Sequence, residues 1–339
     1  MRRTLHIHIG AHRTATTSTQ AFLKQNFSPL QAKGYFNPLA AGRHFVFMNR
    51  LFSGAASADE IAQDIVTRAD SKPHEIRHIV LSDEDVCMHR DLTPLAGFRA
   101  HFDVRIVFSM RRQDLWLESW HQQNVKWQWN PALAHLTFDA FLARRREFFW
   151  IDYDRVLRHL EALFGAEALS LIVFEKGQMP EGPVVAFCEA IGLTDRTGLK
   201  PAPHSNTSLT TRMSEFMRTL PLDEFPGPER RLWEQACRVV DTEMRAQAGR
   251  QSNLLMDSAT RRAVVAEYAA SNAAVARRFF DREALFLEPL PPEDAPLAVQ
   301  TLPDDSYETI RTFVAPMLRA IVAQRLAEAE QAGGPAKAG

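Results

Sequence analysis

Three clusters in this chain carry residue types that could do chemistry. The first is His12-Arg13-Thr14-Ala15-Thr16-Thr17-Ser18, a hydroxyl-rich turn holding one guanidinium. It follows Leu5, Ile7 and Ile9, which alternate with His6 and His8 and stop at Gly10, a strand pattern. From Thr17 the apolar spacing becomes helical (Ala21, Phe22, Leu23, Phe27, Leu30) and closes at Gly34. Strand, turn and helix start bring backbone N–H groups and the positive helix end to one point, a cradle for an anion. The second cluster is Arg111, directly after the apolar run 104–110, with Ser119 eight residues on in the next helical pattern. A cation at a strand end and a hydroxyl on the adjoining helix can close around a phosphate. The third is Ser82-Asp83-Glu84-Asp85, at the end of the apolar run 78–82. A carboxylate there can take the proton of an attacking hydroxyl or amine.

Each cluster also has a plainer reading. Thr16 and Thr17 are ordinary residues for a helix start, Arg111 can pair with a carboxylate, and acids in a D-E-D run often cap a helix. The register of the first cluster is more telling. In the triphosphate loop G-x-x-x-x-G-K-[ST], a lysine reaches the β- and γ-phosphates. Counting from Gly10, Ala15, Thr16 and Thr17 fall on its last three positions, so Thr16 replaces the lysine and the cation moves forward to Arg13. This turn can hold a phosphate group without the part specialised for magnesium triphosphate.

The stretch H-R-T-A-T-T-S-T-Q resembles the 5′-phosphosulfate loop of sulfotransferases that use 3′-phosphoadenosine-5′-phosphosulfate (PAPS), usually written K-T-G-T-T. Arg13 stands where that family has lysine, and Ala15 where it has glycine. The Arg111/Ser119 spacing resembles the family's 3′-phosphate site. The resemblance covers roughly residues 5–190. More softly, Ser271-Asn272 through Phe279-Phe280 to Phe286 resembles the C-terminal helix of bacterial sulfotransferase-like proteins. It implies an α/β, P-loop-like parallel sheet flanked by helices, with a helical C-terminal extension. It also implies sulfuryl transfer from PAPS to an acceptor hydroxyl or amine, releasing adenosine 3′,5′-bisphosphate, with no metal. By this reading His12, Arg13, Thr14, Ala15, Thr16, Thr17 and Ser18 hold the 5′-phosphosulfate, and Arg111 with Ser119 the 3′-phosphate. Arg13 is catalytic, and Glu84 is the first choice of base because related bacterial sequences carry Ser-x-Glu here. Asp83, His89, His44 and His12 compete for that role. Lys200, His204 and Asn206 stand where the family's basic loop beyond the last strand reaches the nucleotide. A nucleotide kinase, which Thr16 argues against, and a non-catalytic nucleotide-binding protein are the alternatives. The acceptor, a carbohydrate or another small molecule, is not legible.

These clusters need elements to position them. Strand patterns end at Ser82, Met110 and Phe174, and helical patterns fill the intervals, among them 152–164, ended by Gly165. Ser57 and Glu60 have capping-box spacing at the head of another helix. Short apolar strands alternating with amphipathic helices predict a parallel sheet covered on both faces, with its ligand beyond the carboxyl ends of the strands. Trp116, Trp120 and Trp127 form a stripe that suits a core, or a stacking wall for an acceptor. The expected organisation is a PAPS-binding core over 1–192, a helical part over 193–330 with long helices near 207–220, 227–248, 257–281 and 305–332, and a frayed tail over 331–339. With 339 residues and a formal net charge of −1, nothing favours nucleic acid or an anionic membrane as partner, so an anion site must be local. Three scattered cysteines, no apolar leader and no apolar run of membrane-spanning length point to a cytoplasmic protein.

Overall fold

The computed structural model describes residues 2–202, 208–248 and 252–332. Its centre is a five-stranded sheet: β1 (Thr4–His8), β2 (Tyr35–Phe36), β3 (His78–Ser82), β4 (Asp103–Met110) and β5 (Leu169–Val173). The order is β2-β3-β1-β4-β5 and each pairing is parallel. From β1 the chain goes to the edge at β2, returns inward to β3 beside β1, and then crosses to β4 and β5 on the other side, so the carboxyl ends of β3, β1 and β4 lie side by side. Loops leaving adjacent parallel strands in opposite senses open a crevice there. The expected α/β architecture is therefore the observed one, with β2 as an edge strand too short to announce itself in the sequence.

Both faces of β1 are covered. Leu5, Ile7 and Ile9 are fully buried on one face. His6 and His8 point to the other, in register with Val80 and Val107. That face packs on Phe22 and Leu23 of α1 (Thr16–Gln25), and on Phe187 and Cys188 of the helix Pro183–Ala190. The helix expected from Thr17 to Gly34 is two helices, Thr16–Gln25 and Phe27–Ala32. Pro29 lacks an N–H and its ring conflicts with the carbonyl of residue 25, which ends the first helix. Asn26 fills the break, its amide bonded to Phe22 O at 3.0 Å and Lys200 O at 2.9 Å. The capping box at Ser57 and Glu60 is present at the head of α2 (Ala58–Asp70).

After β4, α3 (Gln113–Trp127) begins at once. Gln113 anchors it, donating to Ile151 O at 3.0 Å and to Asn272 Oδ1 at 2.9 Å. Opposite, α4 (Tyr153–Phe164) stops at Gly165, whose φ is 88°. The strand ends are also tied to a late segment. Glu175 accepts from Leu287 N at 2.7 Å and Glu288 N at 3.2 Å, and Arg112 donates to Glu288 O at 2.8 Å and Pro289 O at 3.2 Å.

The chain forms two compact units: 1–116, 146–206 and 262–290 make the first, which holds the sheet; 117–145, 207–261 and 291–339 make the second. The second is helical around its own core of Val125, Met213, Phe216, Cys237, Val240 and Phe313. Its helices include Thr211–Arg218, Gly227–Ala248 and Ala315–Ala332. Just before the last, Ile310–Val314 widens into a π turn, as expected upstream of Pro316, which cannot donate back along the helix. Among the described residues no helix is long and apolar enough to cross a membrane.

Candidate active site

The turn after β1 is stitched to β4 by Ala11 N donating to Ser109 O at 3.0 Å and Ser109 N donating to Gly10 O at 2.5 Å. Gly10 has φ 93°, and a Cβ there would stand 3.1 Å from the Cβ of Glu84. Glycine lets the acidic turn after β3 close onto the first loop. Thr14 Oγ1 donates to Ala11 O at 2.6 Å, and Trp116 Nε1 donates to His12 O at 2.8 Å. Trp116 is therefore core, packed edge-on against Phe148 and Trp150, and also a peg for the loop.

Arg13 and Ala15 both have positive φ, 65° and 61°. Alternating left-handed residues curl the main chain so that successive N–H groups turn toward one point. Ala15 is the N-cap of α1, and its carbonyl accepts from Ser18 N at 3.0 Å and Thr19 N at 3.2 Å. No side chain caps this helix and no acid lies in its first turn. The first N–H groups of α1, at Thr16 and Thr17, thus stand at a helix start with its partial positive charge unneutralised by a local carboxylate. Thr16 is buried, Ser18 half-buried and Thr17 exposed. Ala15 thus occupies a left-handed position, where alanine is strained.

Arg111 closes the other side. Its Nη1 donates to Arg13 O at 2.9 Å, its N–H donates to Tyr153 Oη at 3.0 Å, and its guanidinium lies 5.6 Å from the Phe174 ring centroid. Arg13 feels both burial and this second cation, which together lower its pKa to about 10. Arg112, the neighbour that the sequence left ambiguous, faces elsewhere, paired with Asp114 at 2.7 Å. Ser119 lies on the part of α3 that belongs to the second unit and is 8% exposed. Lys200 N donates to Asn26 Oδ1 at 2.7 Å. His204 and Asn206 lie outside the described residues.

The acidic turn divides its labour. Asp83 caps the short helix Glu84–Met88, accepting from Asp85 N. Glu84 instead turns to Gln20 Nε2 of α1 and lies 3.8 Å from Arg43 Nε. Arg43 also bonds Asp83 Oδ1 at 2.7 Å and pairs with Asp85. Burial opposes its charge, but Glu84, Asp83 and Asp85 together hold its pKa above the ordinary value. Burial drives Asp83 the other way from a free carboxylate, up to about 6 in spite of Arg43. Neither Arg43 nor Gln20 carried a sequence signal: Arg43 sits in an irregular stretch, and Gln20 reads as an ordinary helix residue.

The histidines separate clearly. His44 is locked by Asn37 Oδ1 at 2.5 Å, Pro38 O at 2.9 Å and Ser82 N at 3.0 Å, and burial lowers its pKa to about 4. His89 stacks on Phe52, centroids 3.8 Å apart. His12 Nε2 is 2.9 Å from Asp85 Oδ1, and His8 Nδ1 is 2.9 Å from Ser82 Oγ. Beside the start of α1, a cavity of about 500 Å³ is bordered by Ser18, Phe22, Val184, Cys188 and Leu199, with Arg196 and Lys200 also lining it. Its walls are mostly apolar, and Glu181, which also lines it, pairs with Arg196 at 3.3 Å. Among the described residues no group of three or more His, Cys, Asp or Glu is placed to hold a metal ion.

No protein-family profile matches the chain. An uncharacterized protein of Archaeoglobus fulgidus is 24% identical over 145 residues, 42% of this chain and 38% of that protein. The chain thus spans under two fifths of that relative. The crystal structure of a sulfotransferase from Alicyclobacillus acidocaldarius aligns with 77% of this chain and 100% of its own, at 15% identity and a TM-score of 0.41.

Proposed function

We propose that the chain is a sulfotransferase that moves a sulfuryl group from PAPS to an acceptor hydroxyl or amine. The observation that carries this reading is Arg111 donating to the main-chain O of Arg13, which brings a second cation to the left-handed loop at an uncapped helix start. The Arg111 charge lowers the Arg13 pKa, and an anionic ligand at the loop would favour both cations. In this reading Arg13, the N–H groups from Thr14 to Thr17 and the hydroxyls of Thr16, Thr17 and Ser18 hold the 5′-phosphosulfate. Arg111 takes the 3′-phosphate, with Ser119 as the companion expected from the sequence. The adenine occupies the apolar cavity beside Ser18.

The acceptor oxygen or nitrogen attacks sulfur in line as the bond from sulfur to the phosphate oxygen breaks. Negative charge grows on that bridging oxygen, where Arg13 and the loop N–H groups meet it. Donors fixed in advance commonly contribute a factor of about 10²–10³ each. Glu84 takes the acceptor proton, and adenosine 3′,5′-bisphosphate leaves. Gln20 and Arg43 hold the Glu84 carboxylate against the loop. The three free, buried cysteines fit a reducing compartment such as the cytoplasm.

A thermal-shift series with adenosine 3′,5′-bisphosphate, AMP and ATP–Mg tests the donor. The bisphosphate should stabilise the protein far more than AMP, and Arg111→Ala should remove most of that preference while the fold survives. Equal stabilisation by all three nucleotides rejects the reading, and a preference for ATP–Mg favours a kinase. Turnover with labelled PAPS across acceptor classes then separates an enzyme from a nucleotide-binding protein.

A further inference from the structure

The helical second unit contains a cavity of about 310 Å³ whose chemistry is unlike that of the anion loop. His121 of α3 and Thr211 and Ser214 of the helix Thr211–Arg218 line it. Their exposures are 6%, 8% and 4%, so all three are more than nine-tenths buried. Each nevertheless has a polar atom without a hydrogen-bond partner: His121 Nδ1, Thr211 Oγ1 and Ser214 Oγ. Buried polar atoms in native proteins are nearly always satisfied, so three orphans around one cavity point to something that belongs in it.

The roles of these atoms follow from their surroundings. His121 Nε2 lies 2.9 Å from Leu136 O, and a carbonyl only accepts, so the ring hydrogen is on Nε2. Nδ1 is then a bare acceptor that needs an O–H or N–H donor. Burial also lowers the pKa of His121, which keeps the ring neutral. A helical serine commonly relieves its hydroxyl on the carbonyl four residues back. Ser214 does not, although its own N–H donates to that carbonyl, Thr210 O, at 2.9 Å. Thr211 and Ser214 are three residues apart and share a helix face. Together the three groups offer one acceptor and two hydroxyls able to donate or accept.

The remaining lining sets the charge of the occupant. Asp139 and Glu215 are present, and no lysine or arginine lines the cavity among the described residues. Glu215 is already held by Arg218, with Nε at 2.8 Å. An anion would meet Asp139 and a Glu215 that already takes up the nearby Arg218, with no cation in the lining to receive it, which disfavours sulfate and phosphate esters as natural occupants. Leu255 and Phe138 add apolar surface, and Phe138 packs edge-on against His121 with centroids 5.4 Å apart. A hydroxyl-rich ring has polar edges for the orphaned atoms and C–H faces for such walls.

From this geometry we infer that the second unit holds a binding site for a small, neutral, polyhydroxylated ring compound, read by His121, Thr211 and Ser214. The site is independent of the donor reading, because each of its residues belongs to the helical unit. Monosaccharides and cyclitols share the required chemistry.

Titration calorimetry of the full chain with methyl glucoside, myo-inositol and glucose 6-sulfate tests it. Saturable binding of methyl glucoside or myo-inositol is expected, and which of the two binds identifies the source; glucose 6-sulfate should bind at least tenfold more weakly. Ser214→Ala and Thr211→Val should each weaken binding about tenfold, the usual worth of one hydrogen bond. Without ligand both variants should melt at or above the wild-type temperature, since each removes an unsatisfied polar atom. The stabilisation by adenosine 3′,5′-bisphosphate should be unchanged. Absence of saturable binding by both neutral probes overturns the inference. So does binding that both variants leave intact, or a loss of unliganded stability in both variants, which would mean that ordered water already satisfies these atoms.

Discussion

Arg43 is a sharp test of the electrostatics beside the loop. Replacing it with methionine keeps most of the aliphatic stem and removes the cation shared by Asp83, Glu84 and Asp85. Asp83 is 1% exposed, and burial raises its pKa from 3.8 to about 6 even with Arg43 2.7 Å away. At about 1.4 kcal/mol per unit, keeping Asp83 ionised in the native protein at pH 7.5 already costs about 3 kcal/mol relative to the unfolded chain. Without the cation burial raises the Asp83 pKa further, and the cost grows toward its ceiling, that of protonating a free carboxyl at pH 7.5, about 5 kcal/mol. The variant should therefore lose up to about 2 kcal/mol at pH 7.5 from Asp83. The sign is that of a raised carboxyl: its stability is fully present at low pH and lost as pH rises through the folded value. At pH 5 wild type and variant both hold Asp83 mostly protonated, so its share of the difference should vanish, leaving only the loss of the Asp85 and Glu84 pairings. Urea unfolding followed by tryptophan fluorescence at the two pH values measures both numbers. An equal loss at pH 5 and 7.5 would show that the ionisation of Asp83 does not depend on Arg43, and would refute the reasoning.

Further expectations concern the loop and the sheet. Ala15→Gly relieves a left-handed alanine but adds freedom to the unfolded chain; the net should be a gain of about 0.5–1 kcal/mol by chemical denaturation, and a loss would mean that the alanine methyl packs. Glu84→Gln should lower sulfuryl transfer about 10²–10⁴-fold at unchanged nucleotide affinity; full activity would pass the base role to another group. His6, His8 and His44 are held neutral by burial, with pKa values lowered to about 3, 4 and 4. Their contribution is complete above the unfolded value of 6.5 and declines as pH falls toward those folded values. Each should cost about 2 kcal/mol between pH 7 and 5, partly offset by about 1 kcal/mol regained at Asp83. A stability profile that is flat over this window would contradict their burial as neutral rings.

The strands β1, β3, β4 and β5 were legible because apolar runs ended abruptly at glycine or charge, and their parallel pairing followed from the helices between them. The two-residue β2 was not, since Tyr35-Phe36 is too short for any period. Asn26 was missed because apolar spacing continues across Pro29, although the proline had announced the break. The curl of the loop was hidden because its left-handed positions carry Arg13 and Ala15 where a reader looks for glycine. The juxtaposition of Glu84 with the loop could be inferred only in outline, from neighbouring strand ends. That Asp83 and not Glu84 is the cap, and that Arg43 gathers all three acids, depends on tertiary packing with no periodic trace.

The bonds from Leu287, Glu288 and Pro289 to Glu175 and Arg112 have a consequence for biosynthesis. All five strands are made once Val173 has been added, yet Arg112, next to Arg111, and Glu175, just past β5, lack these partners until the chain reaches residue 289. At usual elongation rates the interval is about 6–20 s. A nascent chain in that window exposes a finished parallel sheet with its carboxyl ends unfastened, and a ribosomal pause or premature stop between these points would release a protein most open to aggregation at those strand ends.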